Sequence, residues 1–266
     1  MKKITFYIGL FTAGILLFSA CTKESQMKAP FVANDGTGSY LRFIHAAPSF
    51  RAVFNQADSF NVFVNGSKVN GAFLTYASLF PASTSNNAYA TVASGSGTVK
   101  FSVAGTVNAD SIAIVSFPTT LGAANWYTML ITDSARILLD DSYTKPTFGN
   151  ISVRFINAVM NDTAGKAVDV YSVKAAANVF TNVKPGTTPT AFVSPTLPPI
   201  TFTGQLALTA SITDTLIVRR AGTNIVLAQL NGQSFINQRA YTLYYRGNGN
   251  LSTGTKARGL AAYVHN

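Results

Sequence analysis

RFIHAAPSF, residues 42–50, returns 112 positions later as RFINAVMND, residues 154–162. The stretch YLRFIHAA around the first of these alternates Leu41, Phe43 and His45 against Tyr40, Arg42 and Ile44. Successive side chains of a strand point to opposite faces, so this pattern predicts a strand with Leu41 and Phe43 on its core face. His45 shares that face, where a lone histidine reads as a hydrogen-bonded strand-end residue. Asn157 holds the same place in the second stretch. Asparagine can replace a hydrogen bond but not a proton transfer near neutral pH, so the shared role is structural.

Other matches follow in the same order. Asn61-Val62-Phe63 pairs with Asp169-Val170-Tyr171, Ala104-Gly105-Thr106 with Ala221-Gly222-Thr223, and Tyr127-Thr128-Met129-Leu130 with Tyr241-Thr242-Leu243-Tyr244. Arg136-Ile137-Leu138 has a looser echo in Arg258-Gly259-Leu260. Offsets that differ by only a few residues indicate a duplicated unit with loop insertions. Short Thr/Val/Ile/Phe/Tyr-rich runs separated by Gly, Asn, Ser and Pro predict strands, at 88–93, 98–105, 111–117, 126–133 and 136–141 in the first unit. Asn65-Gly66 between apolar runs predicts a tight hairpin. No stretch after residue 21 shows a sustained 3.6-residue apolar period. The expected fold is all-β, two tandem immunoglobulin-like antiparallel β-sandwiches at residues 39–146 and 150–266, divided within SYTKPTFGN where Pro146 and Gly149 interrupt the strands.

The N-terminus carries a different message. Lys2 and Lys3 precede an apolar run from Ile4 to Phe18, then small residues and Cys21, the only cysteine. A basic start, a short apolar segment and a small-residue cut site make residues 1–20 a secretory signal. The run is shorter than the roughly 20 residues a membrane span needs. Phe18-Ser19-Ala20-Cys21 resembles a bacterial lipobox, which implies cleavage before Cys21 and a diacylglycerol on its thiol. Residues 21–38 then form a lipidated tether. No aspartate follows the cysteine, and Lys23-Glu24 resembles a surface-export signal. The expected location is the outer membrane of a Gram-negative envelope, with the cell surface as an extension of that reading.

Taken together, RFIHAAP, FNVFVNG, LTYAS, VKFSVAGT and WYTMLITD resemble the bacterial domain of unknown function 4397. Its pattern has a strand ending in His-Ala-Ser-Pro, a Val-Asp-Val-Tyr-Val-Asp-Gly hairpin and a late Tyr-Thr strand. Ala47 and Asn61 depart from it, and the second copy keeps Asp169 and Tyr171 without the histidine or the proline. The resemblance implies two β-sandwich copies over residues 39–266 in a lipoprotein, and it supplies no catalytic residues.

Composition narrows the function classes. Removing Lys2 and Lys3 with the signal lowers the formal charge from +10 to +8. The basic residues form no run, so no nucleic-acid partner is expected. Two histidines, His45 and His265, and one acylated cysteine cannot assemble a zinc site, and no calcium loop or Gly-x-Ser-x-Gly elbow is present. No cofactor or metal is implied. Asp140-Asp141, the only adjacent carboxylates, read as solvated strand-edge charges pointing opposite ways. Aromatic residues are 12% of the chain, and Trp126, Tyr244 and Tyr245 are the candidate ligand contacts if they line one exposed face. The expected function is a non-catalytic binding, adhesion or spacer module, anchored to the membrane at Cys21, with a glycan or an envelope protein as partner. A carbohydrate-capture accessory of an uptake system is the alternative, and a hydrolase a third. Asp-Ser/Thr tripeptides at 110, 133, 162 and 214 resemble an O-glycosylation signal.

Overall fold

The computed structural model describes residues 36–55, 58–82, 88–103, 113–133, 136–162, 167–186, 188–195 and 211–265. Cys21, the signal and most of the tether lie outside them. Gly36–Asn266 forms one compact unit.

The repeated Arg-Phe-Ile stretches become β1 (Gly38–His45) and β11 (Ser152–Asn157). Each lies beside the late Tyr-Thr strand of its own half, β1 beside β9 (Trp126–Ile131) and β11 beside β16 (Ala240–Arg246). Both pairs run parallel, which the period-2 pattern alone could not reveal. The registers coincide: Arg42 stands opposite Thr128, and Arg154 opposite Thr242. A last antiparallel strand completes each triplet, β10 (Arg136–Asp140) on β9 and β17 (Gly259–Val264) on β16. In the first half β5 (Leu79–Phe80) and β6 (Ala90–Ala93) extend the sheet from β1. In the second, Val193 bridges Val153 on the same side.

A second sheet in each half repeats the same way. β2 (Ser59–Val64) pairs with β3 (Ser67–Lys68), β4 (Leu74–Thr75) and β7 (Gly95–Val103), and β7 pairs with β8 (Ala113–Leu121). Its counterpart runs β13 (Ala177–Val183), β12 (Val168–Ser172), β14 (Ser211–Arg220), β15 (Val226–Ile236). Val62 faces Phe101, and Val170 faces Val218, so the spacing of Val62 to Val170 and that of Ala104 to Ala221 in the sequence both hold along these strands. The looser echo does not. The pairing sets Arg136 against Ile131 and Leu260 against Tyr245, which makes Arg136 the counterpart of Leu260 rather than of Arg258. Asn65 and Gly66 both take positive φ, 49° and 81°, in the tight turn between β2 and β3. A one-turn helix, α1 (Phe50–Phe54), follows β1 and was not foreseen.

The fold is all-β with sheets layered as in a sandwich. Leu41 and Phe43 pack with Val62, Val99 and Phe101 between the two sheets of the first half. Val153 and Phe155 pack with Val170, Val218 and Phe235 in the second. A third core joins the halves: Ile44, Leu130, Ile137 and Leu139 meet Ile156, Ala158, Tyr244 and Tyr263. β1 and β11 are therefore covered on both faces. Each large apolar side chain so buried contributes about 1.5–3 kcal/mol. At the rim Lys256 pairs with Asp58, and Arg246 Nη1 donates to the Tyr76 hydroxyl at 3.2 Å.

Candidate functional site

Along β1 and β11 the alternation that sends Phe43 and Phe155 into their own halves sends Arg42 and Arg154 toward each other's. Both arginines are buried. Arg154 Nη1 donates to the Asp140 carbonyl at 2.6 Å, Nη2 to the Asp141 carboxylate, and Nε to Thr242 Oγ1 at 2.7 Å. Arg42 makes the reciprocal reach: Nη1 lies 3.5 Å from the Val264 carbonyl, and Nε donates to Ala88 O at 3.3 Å. Its guanidinium stands over the rings of Tyr89 and Tyr263, 4.2 and 4.8 Å from their centroids. Each half thus sends an arginine to the last strand of the other.

Asp141 and His265 are counterparts just past β10 and β17. The Asp141 amide donates to Trp126 O and the His265 amide to Ala240 O, each at 2.8 Å. Each side chain meets the threonine of its own late strand: Thr128 Oγ1 donates to Asp141 Oδ2 at 2.6 Å, and Thr242 Oγ1 lies 2.7 Å from His265 Nε2. Tyr89 and Tyr263 also donate to the carboxylate, at 2.8 and 3.2 Å. Burial pushes the Asp141 carboxyl up, and Arg154, then Thr128 and Tyr89, oppose the shift. Burial, with Arg154 and Arg42, holds the His265 imidazole down to about 2. Burial and the Asp141 charge raise the Tyr89 and Tyr263 phenols.

This cluster forms the floor of a cavity of about 250 Å³ lined by Tyr89, Trp126, Asp141, Ser142, Tyr143 and His265. A groove of about 530 Å³ continues from it, shares Ser142 and Tyr143, and runs past Lys145, Ser152, Phe192 and Ser194. Tyr40 stacks on Trp126 with centroids 4.0 Å apart, and Tyr89 meets the indole edgewise at 4.8 Å.

The parts of a nucleophile–base–acid relay lie in sequence here, Thr242, His265 and Asp141, but they do not form one. His265 Nδ1 is 3.9 Å from Asp141 Oδ1, beyond hydrogen-bond length. Thr242 is 0% exposed and its Oγ1 already accepts from Arg154. Among the described residues no group of three His, Cys, Asp or Glu could hold a metal ion.

Of the aromatic candidates, Trp126 is half-buried in the cavity wall, whereas Tyr244 and Tyr245 are buried on opposite sides of β16. Tyr244 belongs to the core between the halves and Tyr245 to the core of the second half, because strand neighbours face opposite ways. The three therefore do not make one exposed row. Asp141 also corrects its reading as a solvated edge charge, since it is 2% exposed while Asp140 is exposed. His45 behaves as the sequence predicts. Ala47 N donates to its Nδ1 at 3.3 Å, and Val159 N donates to Asn157 Oδ1 at 3.2 Å, the same bond in both halves. Arg42, Arg154, Tyr89 and Tyr263 were missed as site residues. Their one sequence signal was an arginine repeated at the same alternate position of two strands.

A family model described as "Domain of unknown function (DUF4397)" matches residues 39–171, half of the chain, from β1 through β12. No curated protein matches. Among solved structures, one described as "Alpha-glucan binding by a streptococcal virulence factor" is similar at 11% identity, covering 77% of this chain and 92% of that one, with a TM-score of 0.22.

Proposed function

This chain belongs to the DUF4397 family, and from that premise we propose that it is an envelope lipoprotein in which two copies of the family's sandwich form a non-catalytic binding, adhesion or spacer module. The observation that carries the reading is the exchange of arginines. The strongest polar groups of the cavity floor already have partners: Asp141 accepts from Arg154 and Tyr263 of the second half and from Thr128 and Tyr89 of its own. Burial of Arg42 and Arg154 removes two cations from any surface a nucleic acid could touch. No helix among the described residues is long and apolar enough to cross a membrane. On this reading the anchor is the lipid on Cys21. Acyl chains contribute about 0.8 kcal/mol per buried methylene, so two or three hold a protein stably where one does not.

Two measurements test this. Mass spectrometry of the mature N-terminal peptide should find Cys21 acylated, and fractionation should find the protein in outer membranes, with Cys21→Ser released to the soluble fraction. An unmodified Cys21 in a freely soluble wild-type protein would remove the anchor, and reproducible turnover of any substrate would remove the non-catalytic reading. A second reading, carbohydrate capture beside an uptake system, is favoured by the aromatic walls that Tyr89, Trp126 and Tyr143 give the cavity.

A further inference from the structure

We propose that the cavity over Asp141 and His265 seats one ring of an uncharged saccharide, with the rest of the glycan lying along the groove past Lys145 and Phe192. The assignment rests on the binding-module reading and gives it a ligand class and a place. The first argument is size. About 250 Å³ is below the roughly 300–1,000 Å³ of pockets that enclose a whole small-molecule ligand, which suits a single ring that continues elsewhere. The adjoining groove shares Ser142 and Tyr143 with the cavity, so a chain can pass from one into the other without crossing a wall.

The second argument is the lining. Tyr89, Trp126 and Tyr143 are half-buried, with Tyr40 covering one face of the indole and so fixing it in place. Rigid aromatic rings offer apolar surface to the carbon-bound hydrogens of a pyranose at little entropic cost. The hydroxyls of Ser142, Ser152 and Ser194 line the path, where they can exchange hydrogen bonds with sugar hydroxyls.

The third argument is charge. Asp141 is the only charged side chain lining the cavity and is already paired with Arg154, so a phosphate or a uronic acid seated there would give up its hydration without gaining a counter-ion. A neutral, hydroxyl-rich ligand meets no such penalty.

Trp126 is the chain's only tryptophan, so its emission reports on this cavity alone. The full-length protein should be titrated with neutral mono- to tetrasaccharides of glucose, galactose, mannose and N-acetylglucosamine, with polygalacturonate and inorganic phosphate in parallel. A saturable emission change is expected with at least one neutral series, its Kd tightening as the chain lengthens into the groove. Calorimetric titration should then show the Kd weakened at least about tenfold in Tyr143→Ala, and likewise in Ser142→Phe, where an exposed position takes a larger side chain across the mouth. Melting curves of both variants confirm folding. The proposal is overturned if no neutral saccharide acts up to about 10 mM, if phosphate or polygalacturonate binds more tightly than any neutral sugar, or if both folded variants bind as the wild type does. A silent cavity in a protein that is still lipidated at Cys21 and inert as a catalyst removes this assignment alone, whereas hydrolysis of a titrated sugar removes the binding-module reading.

Discussion

Replacing Arg154 by methionine tests whether the crossed arginines hold the halves together. The side chains of Arg154 and Asp141 are 5% and 0% exposed. Methionine keeps most of the arginine's stem, so the loss is electrostatic rather than a void. The carboxylate keeps its hydroxyl donors Thr128, Tyr89 and Tyr263, but it becomes a buried charge without its counter-ion, and the Asp140 carbonyl and Thr242 Oγ1 lose donors. Breaking a buried pair from one side costs about 3–5 kcal/mol. In a domain of 150–250 residues each kcal/mol moves Tm by about 2–4 °C, so a fall of about 6–20 °C is expected. Asp141→Asn in the same chain removes the stranded charge and should recover at least half of the loss, a coupling that a double-mutant cycle measures directly. Urea unfolding of the four proteins at constant m supplies the free energies. A cost below about 1 kcal/mol, the range of an exposed pair, or no recovery in the double variant, would refute the reasoning.

Acid should weaken the fold through its two histidines. Burial holds His45 down to about 4 and His265 down to about 2, so below the ordinary value of about 6.5 the unfolded chain takes up protons that the folded chain refuses. The stability is whole above about pH 6.5 and falls as pH drops toward the folded values, by about 2 kcal/mol per histidine between pH 7 and 5. His45→Asn, which installs the residue that the second half uses at this place, should keep the bond to Ala47 N and lose its share of the acid slope; a slope equal to wild type in denaturant midpoints from pH 7 to 5 would contradict the assignment. Ser102 Oγ is buried without a partner, so Ser102→Ala should gain about 1 kcal/mol in urea unfolding, and a net loss would mean that the hydroxyl is satisfied in solution.

Strand positions and the Asn65-Gly66 turn were legible because they rest on short-range pattern. His45 was legible for the same reason: its partner is two residues away, and the repeat showed an asparagine doing the same work. The parallel pairing of β1 with β9 was not, since period 2 says which residues share a face and nothing about which strand lies beside it. Nor was the second covered face of β1 and β11. Arg42 between Leu41 and Phe43 reads locally as a solvent-side residue, and only the apposition of two halves makes that side an interior. Asp141 and His265 were obscured in the same way, as one stood in a charged dipeptide and the other one residue from the chain end. Tyr244 and Tyr245 were candidates on the condition that they share one exposed face with Trp126, and adjacency in a strand instead sends them to two different cores.

Scanning calorimetry of the whole protein tests most directly whether the two halves are one body. A shared core and crossed arginines predict a single transition whose calorimetric and van't Hoff enthalpies agree, moved as one by Arg154→Met. Two separable transitions, each with the enthalpy of about 110 residues, would show that the halves fold and melt independently, and the account built on their joint interior would be wrong.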